Sequence, residues 1–141
     1  MNHIPLETLV PEKTFDDWLR ALDFDYWSTG QHKIMPAEFF KRLRAGEDVV
    51  LLDVRFDEEL AYLDLPFAQH IPINQLPDRW QEVPNDRLVA TFCSGGDRAV
   101  VAHAVLQNKG LLNVLIFKGG YAELMPELMP GKVRRILAET S

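Results

Sequence analysis

Residues 88–99 run Leu88-Val89-Ala90-Thr91-Phe92-Cys93-Ser94-Gly95-Gly96-Asp97-Arg98-Ala99, an apolar segment that breaks at a cysteine into a polar, glycine-rich turn. A short apolar run bounded by turn residues is the pattern of a strand buried on both faces of a parallel sheet. Past the turn, Val101, Ala102, Val105 and Leu106 recur at helical spacing and Gly110 follows, so residues 98–109 are predicted to form a helix of about three turns. The strand pattern returns at residues 114–117, and again at residues 49–52 between Asp48 and Asp53. Strand, helix and strand at this spacing make a βαβ unit. The expected fold is therefore α/β, an open, mainly parallel sheet flanked by helices, with right-handed crossovers.

Working outward, Pro36 sits where a first-turn proline belongs, Phe39, Phe40 and Leu43 share one side of residues 37–45, and Gly46 marks a stop, which predicts a helix before the first strand. Residues 57–63 read as a short helix, and residues 69–73 as a short strand interrupted by Pro72 and hence close to a sheet edge. Residues 121–125 and 132–138 predict two short closing helices separated by Pro126 and Pro130. Residues 1–33 differ from the rest, because Phe15, Trp18, Phe24, Tyr26 and Trp27 crowd together there. Thr14 with Asp16 and Asp17 signals a helix start, and Phe15, Trp18, Leu19 and Leu22 form an apolar face. The expected division is an aromatic-rich helical extension over 1–33, packed on the domain over 34–141 or on a second subunit.

The 141 residues suit one compact domain, and 47% hydrophobic with 26% charged residues is the balance of an ordinary globular protein. A net charge of −6 without a cluster of Lys and Arg argues against nucleic acid as a partner. The apolar runs fall far short of the roughly 20 residues that span a bilayer, which argues against a membrane. The first residues, MNHIPLETLVPEK, lack the basic start and apolar core of a secretory signal, so a cytoplasmic location is expected. One cysteine, Cys93, excludes an intrachain disulfide and a Cys-rich metal site.

Cys93 falls at the carboxyl end of a predicted strand and just ahead of a predicted helix, where ligands bind in open α/β sheets. A strand-to-helix loop directs backbone N–H groups and the positive end of the helix dipole at one spot, and two adjacent glycines let the backbone curl and approach closely. Such a cradle complements the charge of a thiolate, the form of sulfur that acts as nucleophile or sulfur carrier. A cysteine that merely fills core would be followed by apolar residues. Arg98 carries the wrong sign for a helix N-terminus, so it is expected to have a structural or ligand-facing partner.

Cys93-Ser94-Gly95-Gly96-Asp97-Arg98 resembles the active-site loop of the single-domain rhodanese family, with four residues between cysteine and arginine. Leu51-Leu52-Asp53-Val54-Arg55, His70-Ile71-Pro72 and Lys118-Gly119-Gly120 resemble three further segments of that family, in the same order, over about residues 34–125. The resemblance implies a sulfurtransferase that carries a sulfane sulfur as a persulfide on Cys93. It implies that the amides of Ser94, Gly95, Gly96, Asp97 and Arg98 cradle the terminal sulfur, that Arg98 shapes the loop, and that Asp53 and Arg55 are structural residues near the pocket floor. His70 is expected to be structural, and His103 to serve packing or lie at the surface and not to act as a base. The donor would be a small sulfur compound or a persulfidated protein, and the acceptor an external thiol or cyanide; no metal or cofactor is implied. Asp97 in the loop, with no cation beyond Arg98, weighs against thiosulfate as the physiological donor. Two other classes stay open: a catalytically idle rhodanese-like binding module, and a cysteine-dependent phosphatase, whose pattern has five residues between cysteine and arginine.

Overall fold

The computed structural model describes residues 14–132. The leader reading of residues 1–13 and all but the first residue of the helix expected at 132–138 lie outside them. Five strands, β1 Lys33–Ile34, β2 Val50–Asp53, β3 Gln69–His70, β4 Val89–Phe92 and β5 Val114–Phe117, form one parallel sheet in the order β1-β5-β4-β2-β3. Around it lie α1 Phe15–Ala21, α2 Phe24–Thr29, α3 Pro36–Arg44, α4 Asp57–Leu60, α5 Leu76–Arg79, α6 Asp97–Asn108 and α7 Tyr121–Leu124.

The apolar strands follow from burial on both sides. All four residues of β4 are buried. Period-two alternation along β4 sends Val89 and Cys93 into a core shared with Ala99, Ala102 and Leu106 of α6, and Ala90 and Phe92 into a second core shared with Phe39 and Phe40 of α3 and Leu124 of α7. The Thr91 hydroxyl, also buried, donates to the Ala99 carbonyl at 2.9 Å and ties β4 to the first turn of α6. The chain leaves β2 toward one edge and β4 toward the other, so the sheet order reverses between these two strands. Their carboxyl ends flank the crevice where open α/β sheets bind ligands.

Several expectations need correction. The strand over 69–73 contracts to Gln69–His70, at the sheet edge, because Pro72 follows and has no N–H for a ladder. The helix over 57–63 contracts to Asp57–Leu60. At the amino end the Thr14 hydroxyl accepts from the Asp17 N–H at 3.1 Å and caps α1, but a second helix, α2, and the edge strand β1 follow, neither of which the sequence reading expected. The aromatic packing there is incomplete: Trp18 is buried against the His103 ring, with centroids 6.5 Å apart, whereas Phe15, Phe24 and Trp27 remain exposed.

Candidate functional site

Cys93 follows β4 directly and its side chain is fully buried. The loop closes round its sulfur: the Gly96 N–H donates to Sγ at 3.0 Å and the Ala99 N–H at 3.3 Å. Gly96 holds φ at +109°, a conformation that glycine adopts without strain. Gly95 does not adopt a positive φ, so one glycine, and not both, makes the curl. Nor do all the loop amides turn toward the sulfur; the two that reach Sγ are those of Gly96 and of Ala99, just past the loop. Asp97 Oδ1 lies 3.9 Å from Sγ, placed to accept from the thiol, so this carboxylate turns toward the sulfur although the residue is exposed.

Arg98 has the partner that its unfavourable place at a helix N-terminus demanded. Its Nη1 and Nη2 donate to Glu59 Oε2 and Oε1 at 2.9 and 2.7 Å, and Nη2 also donates to Ser94 Oγ at 2.9 Å. Glu59 in turn accepts the Phe56 N–H at the start of α4, at 2.8 Å, and the guanidinium lies 5.8 Å from the centre of the Phe56 ring. The Arg98 hydrogen bonds hold the Glu59 carboxyl below the usual carboxylate range, and the same bonds raise Arg98. The clasp joins α4, which follows β2, to the first turn of α6, which follows β4, and through Ser94 to the cysteine loop. Glu59 was missed by sequence reasoning.

Beneath it, Asp53 and Arg55 form a buried bidentate pair: Nη2 donates to Oδ2 at 2.7 Å and Nε to Oδ1 at 2.9 Å, and the Arg55 backbone N–H adds a bond to Oδ1 at 3.1 Å. Arg55 Nη1 donates to the Tyr121 hydroxyl at 2.9 Å, and the guanidinium lies 5.8 and 5.4 Å from the centres of the Phe92 and Tyr121 rings. Burial alone would lower the Arg55 pKa, but the hydrogen bonds that its guanidinium donates to Asp53 and Tyr121 outweigh it and raise the value. A His70 ring nitrogen, Nε2, lies 2.6 Å from the Arg55 carbonyl, joining β3 to this floor.

The turn Lys118-Gly119-Gly120 forms the third wall. Tyr121 N–H donates to the Ser94 carbonyl at 2.9 Å, and the backbones approach so closely that a Cβ on Gly120 would sit 1.9 Å from that oxygen.

This is a cysteine held by backbone donors, with a clasped arginine in the first turn of the helix that follows it and a neutralised arginine just past β2. Residues 36–126 match the family of rhodanese-like domains. The chain belongs to that family. This rhodanese-like domain is 39% identical over 80 residues to a sulfurtransferase of Allochromatium vinosum, an alignment covering 57% of this chain and 75% of that protein. It is 29% identical over 98 residues to the putative sulfurtransferase YtwF of Bacillus subtilis, covering 70% and 94%. Among solved structures, a rhodanese-related protein from Thermoplasma volcanium superposes with a TM-score of 0.61 at 28% identity, covering 70% of this chain and 95% of that one. No helix among the described residues is long and apolar enough to cross a membrane.

Proposed function

We propose that this rhodanese-like domain is a sulfurtransferase in which Cys93 carries a sulfane sulfur as a persulfide. The observation that carries the reading is the pair of N–H groups, from Gly96 and Ala99, aimed at Sγ from a helix N-terminus without a side-chain cap. The Cys93 thiolate attacks the outer sulfur of a persulfide donor, the donor's S–S bond breaks, and its thiolate leaves. An acceptor thiolate then attacks the terminal sulfur of Cys93–S–S⁻ and regenerates the Cys93 thiolate, with no net oxidation. Cys93 is the chain's single cysteine, so the acceptor thiol comes from outside it. Unpaired thiol chemistry of this kind suits the reducing cytoplasm.

Arg98 and Glu59 act as positioning residues, and Ser94, Gly95, Gly96, Asp97 and Arg98 form the wall that receives the terminal sulfur. Because Cys93 is fully covered, a donor reaches it when the Ser94–Arg98 loop or the Glu59 clasp swings aside. Asp97 beside the sulfur repels a dianionic donor, which favours a persulfide over thiosulfate. A phosphatase would need the Arg98 fork free for phosphate oxygens, but both of its terminal nitrogens hold Glu59. The complete burial of the thiol is the observation that favours the idle binding module.

The test incubates the protein with cyanide and either thiosulfate or a low-molecular-weight persulfide, and measures thiocyanate. Turnover with the persulfide, absent in Cys93→Ser, together with no hydrolysis of a phosphate ester, is the expected result. No thiocyanate from either donor would overturn the reading.

A further inference from the structure

We propose that Asp97 sets the substrate class of Cys93, selecting small thiols and persulfides that carry an ammonium group two carbons from the sulfur. The proposal rests on the sulfur-carrying reading of that cysteine and names the compounds that exchange with it. Asp97 Oδ1, 3.9 Å from Sγ, belongs to the one carboxylate within hydrogen-bond distance of the sulfur among the described residues. Apart from this contact the Asp97 side chain makes no hydrogen bond or ion pair among those residues. The residue is exposed, so its carboxylate is open to a ligand.

The other charges nearest the sulfur cancel. Arg55 holds Asp53 in a buried bidentate pair, and both terminal nitrogens of Arg98 hold Glu59. Neither arginine therefore offers a free charge to an incoming anion, and Asp97 is left as the uncompensated charge beside Sγ. On the flanking walls Asp57 and Glu58 of α4 are exposed, Asp57 with the His70 ring nitrogen 3.7 Å away, against one cation without an ion pair among the described residues, Lys118 on the turn after β5. The field at the mouth is negative on balance. It repels thiols that carry a carboxylate or a sulfonate and draws in those that carry an ammonium.

Space limits the ligand to a small one. Cys93 is fully buried, a Cβ on Gly96 would meet the Gly119 carbonyl oxygen at 3.7 Å, and one on Gly120 would collide with Ser94, so the loop and the turn after β5 press backbone against backbone. Gly95, by contrast, is exposed and has open space where a Cβ would stand. A short chain entering beside Gly95, two residues from Asp97, sets its ammonium on the carboxylate while its own sulfur reaches the terminal sulfur carried on Sγ. The acceptor thiolate bonds to that terminal sulfur, the bond from it to Sγ breaks, and Sγ leaves with the electron pair as the thiolate, so sulfur moves with no net oxidation. The ammonium stays on Asp97 throughout.

The experiment uses the full chain in two arms. The first treats the Cys93 thiol with aminoethyl and sulfonatoethyl methanethiosulfonate, which form mixed disulfides and differ in the charge two carbons from sulfur; rates are read by intact mass and divided by those with free β-mercaptoethanol. The cationic reagent is expected to be faster by about 10-fold or more, an excess that shrinks at high salt. Asp97→Asn keeps an oxygen that accepts from the thiol and removes the charge, so it should bring the ratio close to one, while Asp25→Asn, which removes an exposed carboxylate from α2, should leave the ratio unchanged. If Asp97→Asn melts early, Asp97→Ser takes its place, with the same loss expected. The second arm loads the Cys93 persulfide and offers cysteamine, β-mercaptoethanol and mercaptoethanesulfonate, three acceptors with the same two-carbon chain. Their kcat/KM, per thiolate present, should fall in that order, with about 5-fold between the first and the second, and should level in Asp97→Asn. Equal normalised reagent rates, a ratio that survives in Asp97→Asn or falls as far in Asp25→Asn, or a level order of acceptors in the parent overturns the Asp97 proposal, and transfer to any acceptor then leaves the sulfur reading standing. Failure of transfer to all three acceptors strikes the sulfur reading, and the reagent ratio then decides the role of Asp97 by itself.

Discussion

Gly120→Ala isolates the contact that locks the cysteine loop against the turn after β5. A Cβ at position 120 would lie 1.9 Å from the Ser94 carbonyl oxygen, 2.4 Å from the Ser94 carbonyl carbon and 2.8 Å from the Gly95 nitrogen. Ordinary contact needs about 3.5 Å, and the obstacle is backbone with no side-chain torsion to relieve it. Forcing the strands of chain apart costs about 1–3 kcal/mol as overpacking, and losing the Tyr121 N–H to Ser94 carbonyl bond costs about 1 kcal/mol more. The sum, about 2–4 kcal/mol, lowers the melting temperature by roughly 10 °C at this chain length. Gly95→Ala is the control, since nothing lies within 4 Å of its added methyl and its φ is not positive. Circular dichroism melts of both variants, paired with persulfide loading of Cys93, read the effect. If Gly120→Ala melts with the parent, or Gly95→Ala falls as far, the close approach is not what organises the loop.

Four shorter predictions accompany it. Glu59→Gln should slow sulfur transfer and destabilise, and a double-mutant cycle with Arg98→Ala should return a coupling of about 1–3 kcal/mol; zero coupling would mean that the clasp is a surface pair. Arg98→Lys should recover only part of what Arg98→Ala loses, because a single ammonium cannot span both Glu59 oxygens and Ser94 Oγ together, as transfer rates would reveal. Arg55→Ala should cost about 3–5 kcal/mol in urea unfolding, since it strands the buried Asp53 carboxylate. His103, whose burial lowers its pKa to about 4 from an ordinary value of 6.5, contributes stability that is fully present above the ordinary value and is lost as pH falls toward 4. Its removal in His103→Phe should flatten the pH dependence of unfolding in that window by roughly 3 kcal/mol, and parallel curves for the two proteins would refute the assignment.

The elements legible in the sequence were those whose pattern comes from burial. β2, β4 and β5 are apolar because helices cover both faces, and α6 is bounded by Gly96 and Gly110, both at positive φ. β1 was hidden because a two-residue strand has no period to detect; Lys33 and Ile34 are strand only because β5 offers them an edge. α2 lacks a buried residue, so no apolar stripe announced it. In the site, Cys93, Gly96 and Arg98 could be found because they are contiguous. Glu59 stands 39 residues from Arg98 and Tyr121 stands 66 from Arg55, and no local rule joins them. One signal did exist for Glu59: a first-turn arginine of unfavourable sign needed an acidic neighbour, and Asp57-Glu58-Glu59 was the nearest acidic run after the Asp53-Val54-Arg55 segment. The expected ring of loop amides narrowed to two donors because a six-residue curl can point only some of its N–H groups inward.

The central claim is that Cys93 carries sulfur, and intact mass spectrometry of the full chain after incubation with a low-molecular-weight persulfide tests it most directly. The parent should gain the mass of one sulfur atom, lose it on addition of cyanide with thiocyanate released, and Cys93→Ser should show neither change while melting normally. A parent mass that stays unchanged, or a sulfur adduct that persists in Cys93→Ser, would contradict the account.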